Sequence, residues 1–94
     1  MPETAHPLSP TEIAGFWFFS HGEYGAQAVT DDDGRVKVRG WFQREDGSLD
    51  HGFRARQEAQ RLGFYADHYY DDGCLSLVVW ADKVPLTALP EKYR

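Results

Sequence analysis

Between Phe64 and Asp82 two runs rich in aromatic and aliphatic residues are separated by Asp71, Asp72 and Gly73, and no other stretch limits the fold as much. Aspartate followed by glycine between such runs signals a tight β-hairpin, because a type I′ turn needs positive φ at both central residues. With Asp72 and Gly73 at the tip, Tyr70 opposes Leu75, His68 opposes Leu77, Ala66 opposes Val79 and Tyr65 opposes Trp80. Opposed residues share a face of the sheet. One face then carries Ala66, His68, Tyr70, Leu75, Leu77 and Val79 and is the better candidate for the core. The other carries Tyr65, Asp67, Tyr69, Ser76, Val78 and Trp80.

A second hairpin is expected upstream. Residues 26–30 lead into Asp31, Asp32, Asp33 and Gly34, and the stretch from Arg35 to Phe42 then alternates with period two, as a strand with one buried face does. Val36, Val38 and Phe42 point to the core in this reading. Arg35, Lys37, Arg39 and Trp41 point away from it.

Each hairpin is preceded by a helix signal. Ser9, Pro10 and Glu12 form a capping box, which satisfies two orphan amides at a helix start. A helix from Pro10 to about Phe19 follows, pressing Ile13, Phe16, Trp17 and Phe19 on the sheet. Its rival is a single turn and then a strand over residues 16–19, since aromatic residues favour strands and Gly15 costs a helix about 1 kcal/mol. After a polar turn around Asp46 and Gly47, Ser48 or Asp50 caps a second helix that runs to Leu62, with Gly63 as a left-handed C-cap. Leu49, Gly52, Phe53, Ala55, Ala59 and Leu62 make its apolar arc, opposite Arg54, Gln57, Glu58 and Arg61.

A shift of 39 residues (48 − 9) places Ser9 on Ser48, Asp32, Asp33 and Gly34 on Asp71, Asp72 and Gly73, and Trp41 on Trp80. The two halves then read as one helix-plus-hairpin unit used twice. The expected fold is α+β, in the order α-β-β-α-β-β, with a four-stranded antiparallel sheet and both helices on one face. At 94 residues the chain is one domain with a single modest core. Residues 1–8 are read as a flexible arm, and residues 83–94, which hold Pro85 and Pro90, as an irregular tail with Leu86 and Leu89 tucked onto the body.

Helices on one face leave the other face bare. That face would present Arg35, Lys37, Arg39, Trp41, Tyr65, Tyr69 and Trp80, a composition enriched in binding hot spots because such side chains remove much surface at low entropic cost. Asp31, Asp32, Asp33, Asp71 and Asp72 at the hairpin tips are further candidate partner-contacting residues, through which an acidic chain could imitate phosphates. The net charge of −5 opposes a dedicated nucleic-acid binder and favours a basic partner. The expected function is therefore a non-enzymatic protein-binding module, a regulator or inhibitor. The phage- or mobile-element-type inhibitors that occupy the groove of a basic nucleic-acid-binding protein offer one setting for it. A homodimer across the same face is a further expectation. The alternative is a single-stranded nucleic-acid-binding domain, for which basic residues interleaved with aromatics are the argument.

Enzymatic or metal chemistry is the weakest class. His6, His21, His51 and His68 show no metal-ligand spacing, Cys74 stands alone, and Gly-rich phosphate loops are absent, so no catalytic, metal or cofactor residue is assigned. Asp67 and His68 fall on opposite faces of a strand and cannot share a site there. His68 on the apolar face reads as a hydrogen-bonded core histidine. A lone cysteine, the lack of a basic and apolar leader at the start of the sequence and the lack of a membrane-length apolar run lead to the expectation of a cytoplasmic location with no membrane contact.

Overall fold

A computed structural model of the protein describes residues 7–23, 25–30, 32–43, 48–71 and 74–94, with only the backbone described at Gln43, Ser48, Leu49, Asp50 and Asp71. Of the arm expected over residues 1–8, residues 1–6 lie outside the described residues, as do the turn at Asp46 and Gly47 and the hairpin tip at Asp72 and Gly73, while Leu8 packs against the core. The elements follow the order α1 (Pro10–Ser20), β1 (Gly25–Thr30), β2 (Val36–Gln43), α2 (Ser48–Leu62), β3 (Tyr65–Asp71) and β4 (Cys74–Trp80). The four strands form one antiparallel sheet in the order β1-β2-β4-β3, so the fold is α+β.

The start of α1 is fixed as its sequence dictates. Ser9 Oγ accepts the Glu12 amide at 3.2 Å, and Glu12 Oε1 accepts the Ser9 amide at 2.9 Å. The helix continues to Ser20, so residues 16–19 form no strand. Tertiary burial decides this against local propensity, since Ile13, Ala14, Trp17 and Phe18 are all packed into the core. Phe19 departs from expectation and is 74% exposed. It sits two residues on from Trp17, which at 100° per residue carries it to the far side of the helix.

Both helices meet the same side of the sheet, through Phe42. Phe18 of α1 lies with its ring centroid 6.1 Å from that of Phe42. A Cβ on Gly52 of α2 would come within 3.0 Å of Phe42 and 2.8 Å of Leu75, so α2 approaches the sheet as closely as a helix can. Gly40 does the same for α1. The Phe18 ring occupies the space a side chain at Gly40 would take. Around these two close approaches Val38, Leu75, Leu77, Val79, Ala55, Ala59 and Phe64 complete the core.

The C-terminus of α2 ends at Gly63, whose φ of 90° suits glycine; the amides of Gly63 and Phe64 both return to the Ala59 carbonyl at 2.9 and 3.0 Å. Leu62, expected in the apolar arc, is instead 44% exposed. The tail follows as three short 3-10 turns, Ala81–Lys83, Leu86–Ala88 and Glu91–Tyr93. Leu89 is buried as expected, whereas Leu86 stays 44% exposed.

The β3–β4 register agrees with the two-residue loop near the tip, with Tyr70 opposite Leu75 and His68 opposite Leu77. Farther along, a bulge between Tyr65 and Asp67 shifts it, so that Tyr65 rather than Ala66 opposes Val79. One extra residue in a strand of period two moves a side chain across the sheet. Tyr65 is thereby turned to the helix side, where it packs against the core.

In the centre of the sheet Arg39 pairs with Val78, Trp41 with Ser76 and Lys37 with Trp80. Arg39 and Val78 are themselves 39 apart (78 − 39), so the 39-residue shift carries one member of this central pair onto the other. The tryptophans that the shift equates, Trp41 and Trp80, fall on the same outer face.

Candidate binding face of the sheet

The outer face is built from alternate residues of all four strands. β2 contributes Lys37, Arg39 and Trp41, and β4 contributes Ser76, Val78 and Trp80 beside them. Val29 comes from β1 opposite Lys37, and Asp67 and Tyr69 come from β3 opposite Val78 and Ser76. Arg35, just before β2, reaches back across Trp80.

Cations on this face lie on aromatic rings. The Arg35 guanidinium stands 3.9 Å from the Trp80 ring centroid and Lys37 Nζ 4.8 Å from the same ring. Arg39 lies between two rings, 5.1 Å from Trp41 and 5.2 Å from Tyr69. Each such contact is worth about 0.5–1 kcal/mol where water still reaches it. The stacking also fixes where the N–H groups are. Arg39 Nη2 donates to the buried Ser76 Oγ at 3.2 Å, while its Nε is buried and has no hydrogen-bond partner among the described residues. A guanidinium held in this way by rings and a serine is a positioned donor rather than a solvated charge.

Asp67 is the counterweight. Its carboxylate accepts the Tyr69 hydroxyl at 2.9 Å and the His68 amide at 2.7 Å. Those hydrogen bonds, with smaller help from nearby charges, outweigh desolvation and hold the Asp67 carboxyl below its ordinary range. The same bond raises the Tyr69 phenol above its own. Arg35 meets Asp82 at 3.2 Å at the other end of the face. Among the described residues Arg35, Lys37 and Arg39 share this face with Asp67 and Asp82, so a basic row lies there on a chain of net charge −5. Charges beyond a screening length of roughly 8–10 Å count for little, so local sign governs what docks here. A depression of about 200 Å³ opens among Val29, Lys37, Arg39, Ala66, Asp67, Tyr69 and Val78. Its floor is apolar and its walls carry donors.

Of the residues named from sequence, Arg35, Lys37, Arg39, Trp41, Tyr69 and Trp80 come together here, with Trp41 and Trp80 half-buried. Tyr65 does not, because of the bulge. Asp32 and Asp33 lie exposed in the β1–β2 turn, the Asp71 side chain is not described, and Asp31 and Asp72 lie outside the described residues. Val29 and Ala66 were missed. Alternation would have placed Val29 once β1 was paired with β2, but nothing in the sequence announces the bulge that brings in Ala66.

On the helix side Tyr65 joins a separate network. Arg56 Nη1 lies 3.2 Å from His68 Nε2 and donates to Tyr70 Oη at 2.9 Å, and His68 Nδ1 lies 2.6 Å from Tyr65 Oη. Arginine can only donate, so His68 Nε2 accepts and its Nδ1 carries the hydrogen that goes to Tyr65. His68 is hydrogen-bonded as expected, but it is half-buried at the edge of the sheet rather than part of the core, and it ties α2 to β3. Among the described residues no group of three His, Cys, Asp or Glu side chains is placed to hold a metal ion, and no helix is long and apolar enough to cross a membrane. No family model, curated protein or solved structure matches the chain.

Proposed function

We infer that the outer sheet face is a docking surface for a protein partner, and that the chain acts by binding, as a regulator or inhibitor. The observation that supports this reading above others is Arg39. It is clamped between Trp41 and Tyr69, and its side chain lines an open depression. Arginine, tryptophan and tyrosine grouped at the centre of a face are what dominates binding energy at interfaces. The segment that fits is one whose carboxylates lie along Arg35, Lys37 and Arg39 while an apolar side chain enters the depression over Val78.

A single nucleic-acid strand is the second reading, favoured by the basic row on an open sheet. The rings count against it, since a base stacking on Trp80 would first displace Arg35 or Lys37 from that ring. Affinity capture from the native host's lysate at low and high salt, with wild type beside an Arg39→Gln/Trp41→Ala double variant, separates the two. The expected result is a protein retained by wild type and lost by the variant, whose melting temperature stays within a few degrees of wild type. Retention on a single-stranded oligonucleotide that weakens steeply with salt would instead establish the second reading.

A further inference from the structure

We propose that a second copy of this chain docks against the β1 edge, by antiparallel pairing of the two β1 strands with the two α1 helices packed together beneath them. This surface is distinct from the outer face and does not depend on the function proposed for it.

The sheet has two edges, and they are treated differently. An edge strand is a template for further pairing, and proteins block it with charge, proline, bulges or cover. β3 carries such devices. It has the bulge between Tyr65 and Asp67, and the Asp67 carboxylate accepts the amide of the next residue, His68. β1 has none. Gly25–Thr30 contains no charged residue and no proline, five of its six residues are exposed, and no strand among the described residues lies on its outer side. Its helix-side residues, Ala26 and Ala28, stand opposite Gly40 and Val38 yet remain exposed, so α1 reaches β1 without burying them.

The second observation is α1 itself. A helix that is apolar on every side is normally surrounded. Here Ile13, Ala14, Trp17 and Phe18 are buried and Phe16 is half-buried against Tyr93 of the tail, 5.3 Å between ring centroids. Phe19, however, is 74% exposed, and with Glu12, Gly15 and Phe16 it lines an open depression of about 410 Å³ with almost wholly apolar walls. The direction of this stripe follows from geometry. Trp17 reaches α2 by its hydrogen bond to Glu58, and Gly15 and Phe19 lie roughly 160° round the helix from Trp17. The stripe therefore faces away from α2. Because α2 spans β2, β4 and β3 while α1 lies on β2 and β1, facing away from α2 means facing the side on which β1 is the edge. The bare strand and the bare helix stripe open in the same direction.

A second copy satisfies both at once. Antiparallel pairing of a strand with its own twin is a closed, two-fold arrangement that presents the same patch from each side. It would leave an eight-stranded sheet whose only edges are the two blocked β3 strands. The strand itself carries no charge, but centred antiparallel pairing sets Glu23 of one copy toward Asp32 of the other, so the dimer should tighten as salt screens these like charges. A six-residue strand pair alone falls short of the roughly 800 Å² per partner of a stable interface, and Phe19 on the α1 stripe adds apolar area beside it.

The test is the mass of the intact 94-residue chain in solution, by light scattering or sedimentation over a wide concentration range. The expected mass is twice 10.8 kDa, with amide exchange over residues 25–30 slowing as concentration rises. Phe19→Glu and, separately, Ala28→Lys should each weaken the dimer at least about tenfold while the dilute protein keeps its circular dichroism. Both positions are exposed in the single chain, and the strand variant stands even if the helix variant fails to fold. A wild type that stays monomeric throughout, growth beyond two copies, or a dimer that survives both substitutions would overturn the proposal.

Discussion

Gly40→Ala is expected to destabilise the fold by about 3 kcal/mol or more, a large share of the roughly 5–15 kcal/mol that holds a small domain together. A Cβ at this position would lie 2.4 and 2.5 Å from two ring carbons of Phe18, whose side chain is fully buried. The ring has nowhere to withdraw, because Trp17 packs edge-on at 5.0 Å and Phe42 lies at 6.1 Å. Relief must come from moving α1 off the sheet. Urea unfolding measures the loss, and adding Phe18→Ala to the variant gives a further check. The double variant should lose clearly less than the sum of the two single losses, since the Cβ added at position 40 collides with the Phe18 ring, which the second substitution takes away. Full additivity would mean that the notch is not filled by Phe18.

Glu58→Ala should loosen the junction of α1 and α2 by about 1–3 kcal/mol. Glu58 Oε2 accepts the indole N–H of the buried Trp17 at 2.5 Å and lies 3.1 Å from His21 Nε2. Removing it strands a donor that is 2% exposed in the core, although water reaching the carboxylate's site tempers the loss. The pH dependence has a definite sign. Burial works against ionisation of Glu58, but hydrogen bonds from Trp17 and His21, with the charges of His21 and Arg61, outweigh it and keep the carboxyl below its ordinary value. A carboxyl depressed in the folded state stabilises fully above its unfolded pKa, and this contribution is lost as pH falls below about 4. The stability gap between wild type and Glu58→Ala should therefore be wide at pH 7 and narrow toward pH 3. A gap that is constant with pH would assign the effect to packing alone.

The hairpins, the helix start and the outward tryptophans were legible because each is written in local chemistry. Ser9, Pro10 and Glu12 specify a cap, period-two alternation specifies a strand, and Asp-Gly specifies a turn. Phe19 was not legible, since α1 is apolar on all sides and the pattern cannot say which side is left bare; only the position of α2, through Trp17 and Glu58, decides that. Tyr65 was misplaced for a related reason. A bulge moves a side chain across the sheet without leaving any mark in composition. The pairing of Lys37 with Trp80 and of Arg39 with Val78 was equally hidden, because strand order depends on contacts between halves of the chain, and the clamp around Arg39 exists only once β2 lies between β1 and β4.

Hydroxyl-radical footprinting of the protein alone and in complex with its captured partner tests the docking claim most directly. Trp41, Tyr69 and Trp80 share the outer face, so their oxidation rates should all fall together on binding, while Trp17, sealed in the core, should react slowly in both states. Unchanged reactivity at those three rings in a saturated complex would contradict the account.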